Sequence, residues 1–324
     1  MPAHRAQPSF TESSALLFDL LCTPLSMRAD GLGALVTALA PLVSPRATPE
    51  ARHPLMLVTA ARRPARAEGG AEDDDDEADD PDTAPWDEPI YAVDAGVAVV
   101  EVSGPVVKGY SNLVCWYYGL MSSDRLQAAL AEIGRRTDVL GVVLVIRSPG
   151  GMCMGTPEAA AAIAALNAQK LVVAVTDTQA CSAAYWMASQ ASALFTTVSA
   201  DVGSIGTYLA LYDWTKYLEE WGIKLELFKR GKFKAIGVMG NPLDKAAREF
   251  LDRDIGRIND RFQAAVRAAR PGVADSTMEG QWFDGEEAVE LRLADEVVAS
   301  VDEVVTRVRA GVAGALASAA RFTA

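Results

Sequence analysis

The 324-residue chain has only two histidines, His4 and His53, and both precede an acidic tract that begins near Glu68. A Ser-His-Asp triad cannot be assembled from the rest of the chain unless the N-terminal region folds back onto it. Histidine-based metal sites are disfavoured by the same shortage. A lysine can replace histidine as general base. To serve, its pKa must fall from about 10.4 toward about 7–8, and burial does this by disfavouring the charged form. A shift of about three units corresponds to roughly 4 kcal/mol, so the pocket must be dry and well supported. A lysine base implies activity that rises with pH.

Three segments meet these demands. Ser148-Pro149-Gly150-Gly151 follows a long apolar run, and its paired glycines let backbone N–H groups approach an oxyanion. It also reads as an ordinary strand-to-helix turn. Gln179-Ala180-Cys181-Ser182-Ala183-Ala184-Tyr185 places a serine at the start of a small-residue helical segment. There, backbone N–H groups favour developing negative charge, although serine is also a common helix cap. Lys229-Arg230-Gly231-Lys232-Phe233-Lys234 is a cationic cluster that alone reads as a solvated loop. Cys181 neighbours Ser182, but a thiol nucleophile also needs a base or a lowered pKa. It reads better as a small buried residue.

The elements that must position these groups alternate in type. Val139–Ile146 is a continuous apolar, β-branched run, the signature of a strand buried on both faces, and Val97–Val102, Leu171–Val175 and the short Leu194–Thr197 read as further strands. Between them, helices are expected from Ser122/Ser123-Asp124 onward, through Glu158–Asn167 and across Cys181–Ser189. This alternation predicts an α/β architecture with a largely parallel sheet. Farther on, a long amphipathic helix is expected over Pro242–Arg270, with Phe250, Ile258, Phe262 and Val266 on its apolar side. A short helix near Asp284–Ala288, a strand over Leu293–Val298 and a helical tail after Asp302 complete the reading. Met152, Met154, Tyr185 and Trp186 line either substrate pockets or the core.

The SPGG segment, the serine in C-S-A-A-Y-W, Gly203-Ser204-Ile205-Gly206, G-K-F-K-A-I and the W-F-D-G-E-E-A ending occur in one order. In that order the chain resembles the signal peptide peptidase A family of serine peptidases over roughly residues 93–300. The resemblance implies a ClpP/crotonase-like fold of repeated β-β-α units. It also implies Ser182 as nucleophile and Lys234, rather than Lys229 or Lys232, as base. Gly150 or Gly151 together with Ala183 would supply the oxyanion N–H groups, and Ser204 would help orient the lysine. Many relatives carry glycine directly after the nucleophile, where this chain has Ala183. The K-A-I-G-V-M-G-N-P-L stretch brings the chain closest to the capsid-maturation proteases of tailed bacteriophages. That implies capsid, portal or scaffold proteins as substrates, a homo-oligomeric ring and no cofactor. The competing readings are a cellular signal-peptide-peptidase-like protease that degrades peptides or membrane-protein fragments and, after it, a crotonase-type enzyme or a non-catalytic structural protein on the same fold.

Bulk properties set the frame. The net charge of -13, with 43 acidic against 30 basic residues, argues against nucleic acid as a partner. Residues 67–89 hold much of the negative charge and read as a disordered linker. They separate an N-terminal helical region of uncertain order (1–66) from the peptidase domain (90–300) and a C-terminal helix or tail (301–324). Four cysteines in no zinc-like spacing suggest a reducing compartment. No apolar stretch reaches the roughly 18–20 residues of a membrane span. Together these features lead to the expectation of a cytoplasmic protein.

Overall fold

Continuous runs of Val, Ile and Leu cannot be satisfied by a strand with one wet face, and the strands they form are central ones. The computed structural model describes residues 25–27 and 84–322, with side chains from 84 to 315. Short strand β1 is Leu25–Met27, and β2 (Tyr91–Asp94) turns through Ala95 and Gly96 into β3 (Val97–Ser103). Both turn residues have positive φ, 50° and 75°, as a two-residue hairpin with right-handed twist requires. Strands β4 (Val106–Val107) and β5 (Met121–Ser122) flank helix α1 (Asn112–Tyr118), and α2 (Ser123–Arg135) follows. The Ser122 hydroxyl caps α2 by accepting from the Arg125 N–H, as the Ser-Ser-Asp start predicts.

A strand–strand–helix unit then repeats. It comprises β6 (Gly141–Arg147), β7 (Gly150–Met152) and α3 (Thr156–Asn167), then β8 (Leu171–Thr176), β9 (Gln179–Cys181) and α4 (Ala183–Ala188). The third repeat supplies only β10 (Ala193–Thr196) and β11 (Asp201–Gly203). The first strand of each unit joins a six-stranded sheet that ends in β13 (Glu296–Val297) and has the order β13-β10-β8-β6-β3-β2, parallel except for β2. The second strands leave that plane. β7 sits in a sheet of order β1-β7-β4-β5, and β9 in a sheet with β11 and β12 (Trp282–Phe283) of order β12-β11-β9. The expected repeated β-β-α architecture with a mostly parallel sheet is therefore the one observed.

The rest of the chain closes this frame. Helix α5 (Thr215–Glu220) lies in an otherwise irregular stretch, and α6 (Lys245–Ala269) is the long amphipathic helix, capped by the Asp244 carboxylate. Strand β12 (Trp282–Phe283), α7 (Gly285–Glu290), β13 (Glu296–Val297) and α8 (Val301–Phe322) follow. The main core lies on one side of the six-stranded sheet, joining α2, α3, α4 and α6 to the sheet. On the other side, Val304, Val308 and Val312 of α8 cover Val143, Val145, Val173 and Val175. Each fully buried valine contributes roughly 1.5–3 kcal/mol over its exposed state, and this second cluster keeps the parallel strands dry on both faces.

Some boundaries moved. The glycines expected in a turn form strand β7, because Gly151 pairs with Val106. The strand expected over Leu293–Val298 shrinks to Glu296–Val297. Tyr185 and Trp186 belong to the core: the Tyr185 hydroxyl donates to the Leu293 carbonyl at 3.1 Å, and Trp186 stacks on Phe262 at 4.8 Å. Within the N-terminal region read as helical, residues 25–27 are a strand. The remainder of that reading, and the acidic linker up to residue 83, lie outside the described residues.

Candidate functional site

The strands of the main sheet end together, and an ionic clasp fixes their ends. Arg147, the last residue of β6, donates to both carboxylate oxygens of Asp177 at 2.7 and 2.9 Å and to Glu101 of β3 at 3.2 Å. Burial pushes the Glu101 carboxyl up, and the Asp177 charge adds to that push while Arg147 opposes it. The chain leaves this clasp directly into Ser148.

Ser148 is buried and bridges Ala180 in parallel. Its carbonyl accepts from the Cys181 N–H at 3.2 Å, and its hydroxyl accepts from the Gly150 N–H at 3.2 Å. Gly150 takes a φ of 101°, which a side chain rarely tolerates. Gly151 faces the β4 backbone so closely that a Cβ there would lie 2.1 Å from the Val106 carbonyl oxygen. The two glycines of the SPGG segment thus have separate reasons: one a left-handed backbone, the other a close strand approach.

Ser182 lies two residues beyond the Ser148–Ala180 bridge. It is 1% exposed, with φ 56° and ψ -119°, a conformation that glycine adopts readily and serine does not. Its N–H donates to the Gly203 carbonyl at 2.7 Å, and its hydroxyl lies 3.5 Å from the Gly206 carbonyl oxygen. The helix α4 that follows opens on Ala183, so the next N–H lies at the first helical position. Alanine at 183 and 184 suits the fully buried surroundings of both residues. The neighbouring Cys181 is fully buried and its thiol donates to the Asp201 carbonyl at 3.6 Å, consistent with a packing role. Burial also pushes the Cys153 thiol up to about 12, a protonated and unreactive state.

Ser204 lies next to the carbonyl that holds Ser182. Its φ is 53° and its N–H donates to the Gln281 carbonyl at 2.6 Å, tying the Gly-Ser-Ile-Gly turn to the strand entering β12. Three sequence-chosen segments, 148–151, 181–183 and 203–206, are therefore brought together. Residue-type reasoning missed Gly206 and the Ser148 hydroxyl. Gly206 was visible only as the last glycine of its turn, and Ser148 only as the first residue of its motif.

Lys234 sits on a different element. The stretch from 209 to 243 is mostly irregular, and Lys234 is exposed on it. Its place is nevertheless fixed: Phe233 stacks on Phe250 of α6 at 4.8 Å, Ala235 is buried, and Asn241 donates to the Ala235 carbonyl at 2.6 Å. The same stretch exposes Tyr212, Trp214, Tyr217, Trp221 and Phe228, the last at 91%. A concentration of uncovered aromatics on one arm is uncommon for a monomer surface.

Residues 164–314 match Peptidase family S49. This segment contains Ser182, Ser204 and Lys234, and it bears out the resemblance read from the motifs. The Head-tail preconnector protein GP5 of Enterobacteria phage P21 is 29% identical over 218 residues, covering 66% of this chain and 43% of that protein. Capsid assembly protease C of Escherichia phage lambda is 31% identical over 217 residues, 66% of this chain and 49% of that protein. Probable protease SohB of Haemophilus influenzae is 28% identical over 186 residues, 56% and 52%. The chain spans about half the length of the curated relatives it matches. A solved enoyl-CoA hydratase/isomerase family member aligns with 68% of this chain and 74% of that chain, at TM-score 0.38 and 20% identity. Among the described residues, no helix is long and apolar enough to cross a membrane.

Proposed function

We propose that the chain is a serine endopeptidase with Ser182 as nucleophile and Lys234 as general base. The observation that carries this reading is the backbone of Ser182: buried, at positive φ, bonded to the Gly203 carbonyl and following Cys181, whose N–H donates to the Ser148 carbonyl. A strained serine beside two glycines of a close-packed strand is hard to explain by packing alone. In the reaction, the Ser182 hydroxyl oxygen bonds to the substrate carbonyl carbon while its proton passes to neutral Lys234. The oxyanion takes N–H donors from Ala183 and from Gly150 or Gly151, and Ser204 supports the lysine. The C–N bond then breaks as the lysinium protonates the leaving amine. Water, deprotonated by the same lysine, hydrolyses the acyl ester and frees Ser182.

The substrates proposed are head proteins processed during capsid assembly, in the host cytoplasm. The similarity to a phage protease and a phage preconnector protein supports this. The similarity to SohB supports a second reading, a cellular peptidase of the same chemistry. The exposed aromatic arm that carries Lys234 supports a ring of several copies, in which a second copy covers the arm and dries the lysine.

The test is substitution with activity measured on a peptide library. Ser182→Ala and Lys234→Ala each lower turnover by about 10⁴-fold or more, as for other nucleophile–base pairs, whereas Lys232→Ala retains it. Equal loss in Lys232→Ala would overturn the lysine assignment. A fluorophosphonate that fails to label Ser182 would overturn the peptidase reading. Light scattering on Trp221→Ser with Phe228→Ser tests the ring: the double variant is expected to dissociate.

A further inference from the structure

Strand β7 has two edges. One is taken by β4, where Val106 pairs with Gly151 in parallel. The other is taken by a segment more than a hundred residues away, with Leu25 opposite Met152, Ser26 opposite Gly151 and Met27 opposite Gly150, antiparallel. This second edge belongs to the candidate site. Gly150 and Gly151 are the proposed oxyanion glycines. Moving along β7 from Met152 to Gly150 leads to Ser148, whose bridge to Ala180 lies two residues from Ser182. The chain direction from Leu25 to Met27 therefore runs toward the nucleophile.

An extended backbone added to an exposed strand edge is a general way to bind peptides without regard to most side chains. We infer that this edge of β7 is the site for an extended peptide substrate, and that residues 25–27 occupy it in cis and hold the enzyme in a self-blocked state. The inference rests on the peptidase reading for its consequence in activity, but not for the strand pairing itself. A sequence such as Pro24-Leu25-Ser26-Met27 suits the role. Proline before the strand discourages a helix running into it, and three residues make a ladder short enough to be displaced.

The energetic consequence is competition. An arm seated about nine-tenths of the time weakens a peptide ligand about ten-fold, since only the unoccupied fraction binds. In an antiparallel pair alternate residues direct their N–H and C=O groups at the partner. Either Ser26→Pro or Leu25→Pro with Met27→Pro must therefore remove ladder donors, whichever set faces β7.

The experiment uses the full chain in a Ser182→Ala background. A fluorescein-labelled peptide of residues 23–32 is titrated against the native arm and against both proline variants, with fluorescence anisotropy as the readout. At least one proline variant is expected to bind the peptide about ten-fold tighter than the native arm does. In the Ser182 chain, the same variant raises kcat/KM on a peptide supplied in trans by a similar factor. Equal peptide affinity across all three chains, with each still folded by circular dichroism, would overturn the inference. If affinity rises but no chain hydrolyses peptide or takes up a fluorophosphonate, the strand site stands and the peptidase reading falls.

Discussion

Replacing Gly151 with alanine tests how closely the site is built. An added Cβ would stand 2.1 Å from the Val106 carbonyl oxygen, 2.5 Å from its nitrogen and 2.7 Å from its carbonyl carbon. Ordinary contacts begin near 3.4 Å, so β4 must retreat by more than 1 Å. A side chain could rotate aside; a paired backbone cannot. The retreat breaks ladder hydrogen bonds around Val106, at about 1 kcal/mol each. It also shifts Val106 and Val107, both fully buried in two core clusters, at roughly 1–3 kcal/mol for the misfit. The sum is about 3–5 kcal/mol. With a urea slope of roughly 3 kcal/mol/M for a chain of this size, the unfolding midpoint falls by about 1 M or more. Gly134→Ala is the control. It lies inside α2, its Cβ meets only Leu166 Cδ1 at 3.7 Å, and it gains up to about 1 kcal/mol of helix propensity. Urea unfolding followed by circular dichroism separates the two. A Gly151→Ala midpoint equal to that of the native chain would refute the close approach of β7 to β4.

Other substitutions probe separate parts of the molecule. Ser182→Gly is expected to be more stable than Ser182→Ala by about 1–2 kcal/mol, because only glycine relieves the positive φ at no cost; thermal unfolding of the two inactive chains decides it. Tyr185→Phe leaves the Leu293 carbonyl without its buried donor and costs about 1–2 kcal/mol, read as a lower urea midpoint. Arg270 is 8% exposed and donates to both oxygens of Asp295, so Arg270→Met is expected to cost about 2 kcal/mol at neutral pH. Burial would push the Asp295 carboxyl up, but the Arg270 and Leu194 N–H hydrogen bonds and the arginine charge bring it below its ordinary 3.8. That stabilisation is present above 3.8 and is lost as pH falls through the folded-state value. The difference between native and Arg270→Met midpoints should therefore narrow between pH 6 and pH 3, and a constant difference would contradict the assignment.

The residue types and order of the chain determined the chemistry on offer. The confinement of histidine to positions 4 and 53 argued against a histidine base and made lysine a candidate, and the apolar runs later seen as β3, β6, β8 and β10 announced a buried parallel sheet. Such runs are legible because they are short, continuously apolar and rich in β-branched residues, as strands dry on both faces are. The start of α2 was legible for an equally local reason, since Ser122 bonds to an N–H three residues ahead, whereas α6 begins at Lys245 behind its Asp244 cap and not at Pro242. Tertiary structure alone decided the rest. Gly150–Met152 is a strand through pairing with partners far away in sequence, and glycine has little strand preference of its own. Tyr185 and Trp186 became core because α6 and the Leu293 segment close over α4. The aromatics Tyr212, Trp214, Tyr217, Trp221 and Phe228 are exposed, which only the fold could show. Which residues gather around Ser182 depends on crossovers between strands, and such distances are not encoded by local periodicity.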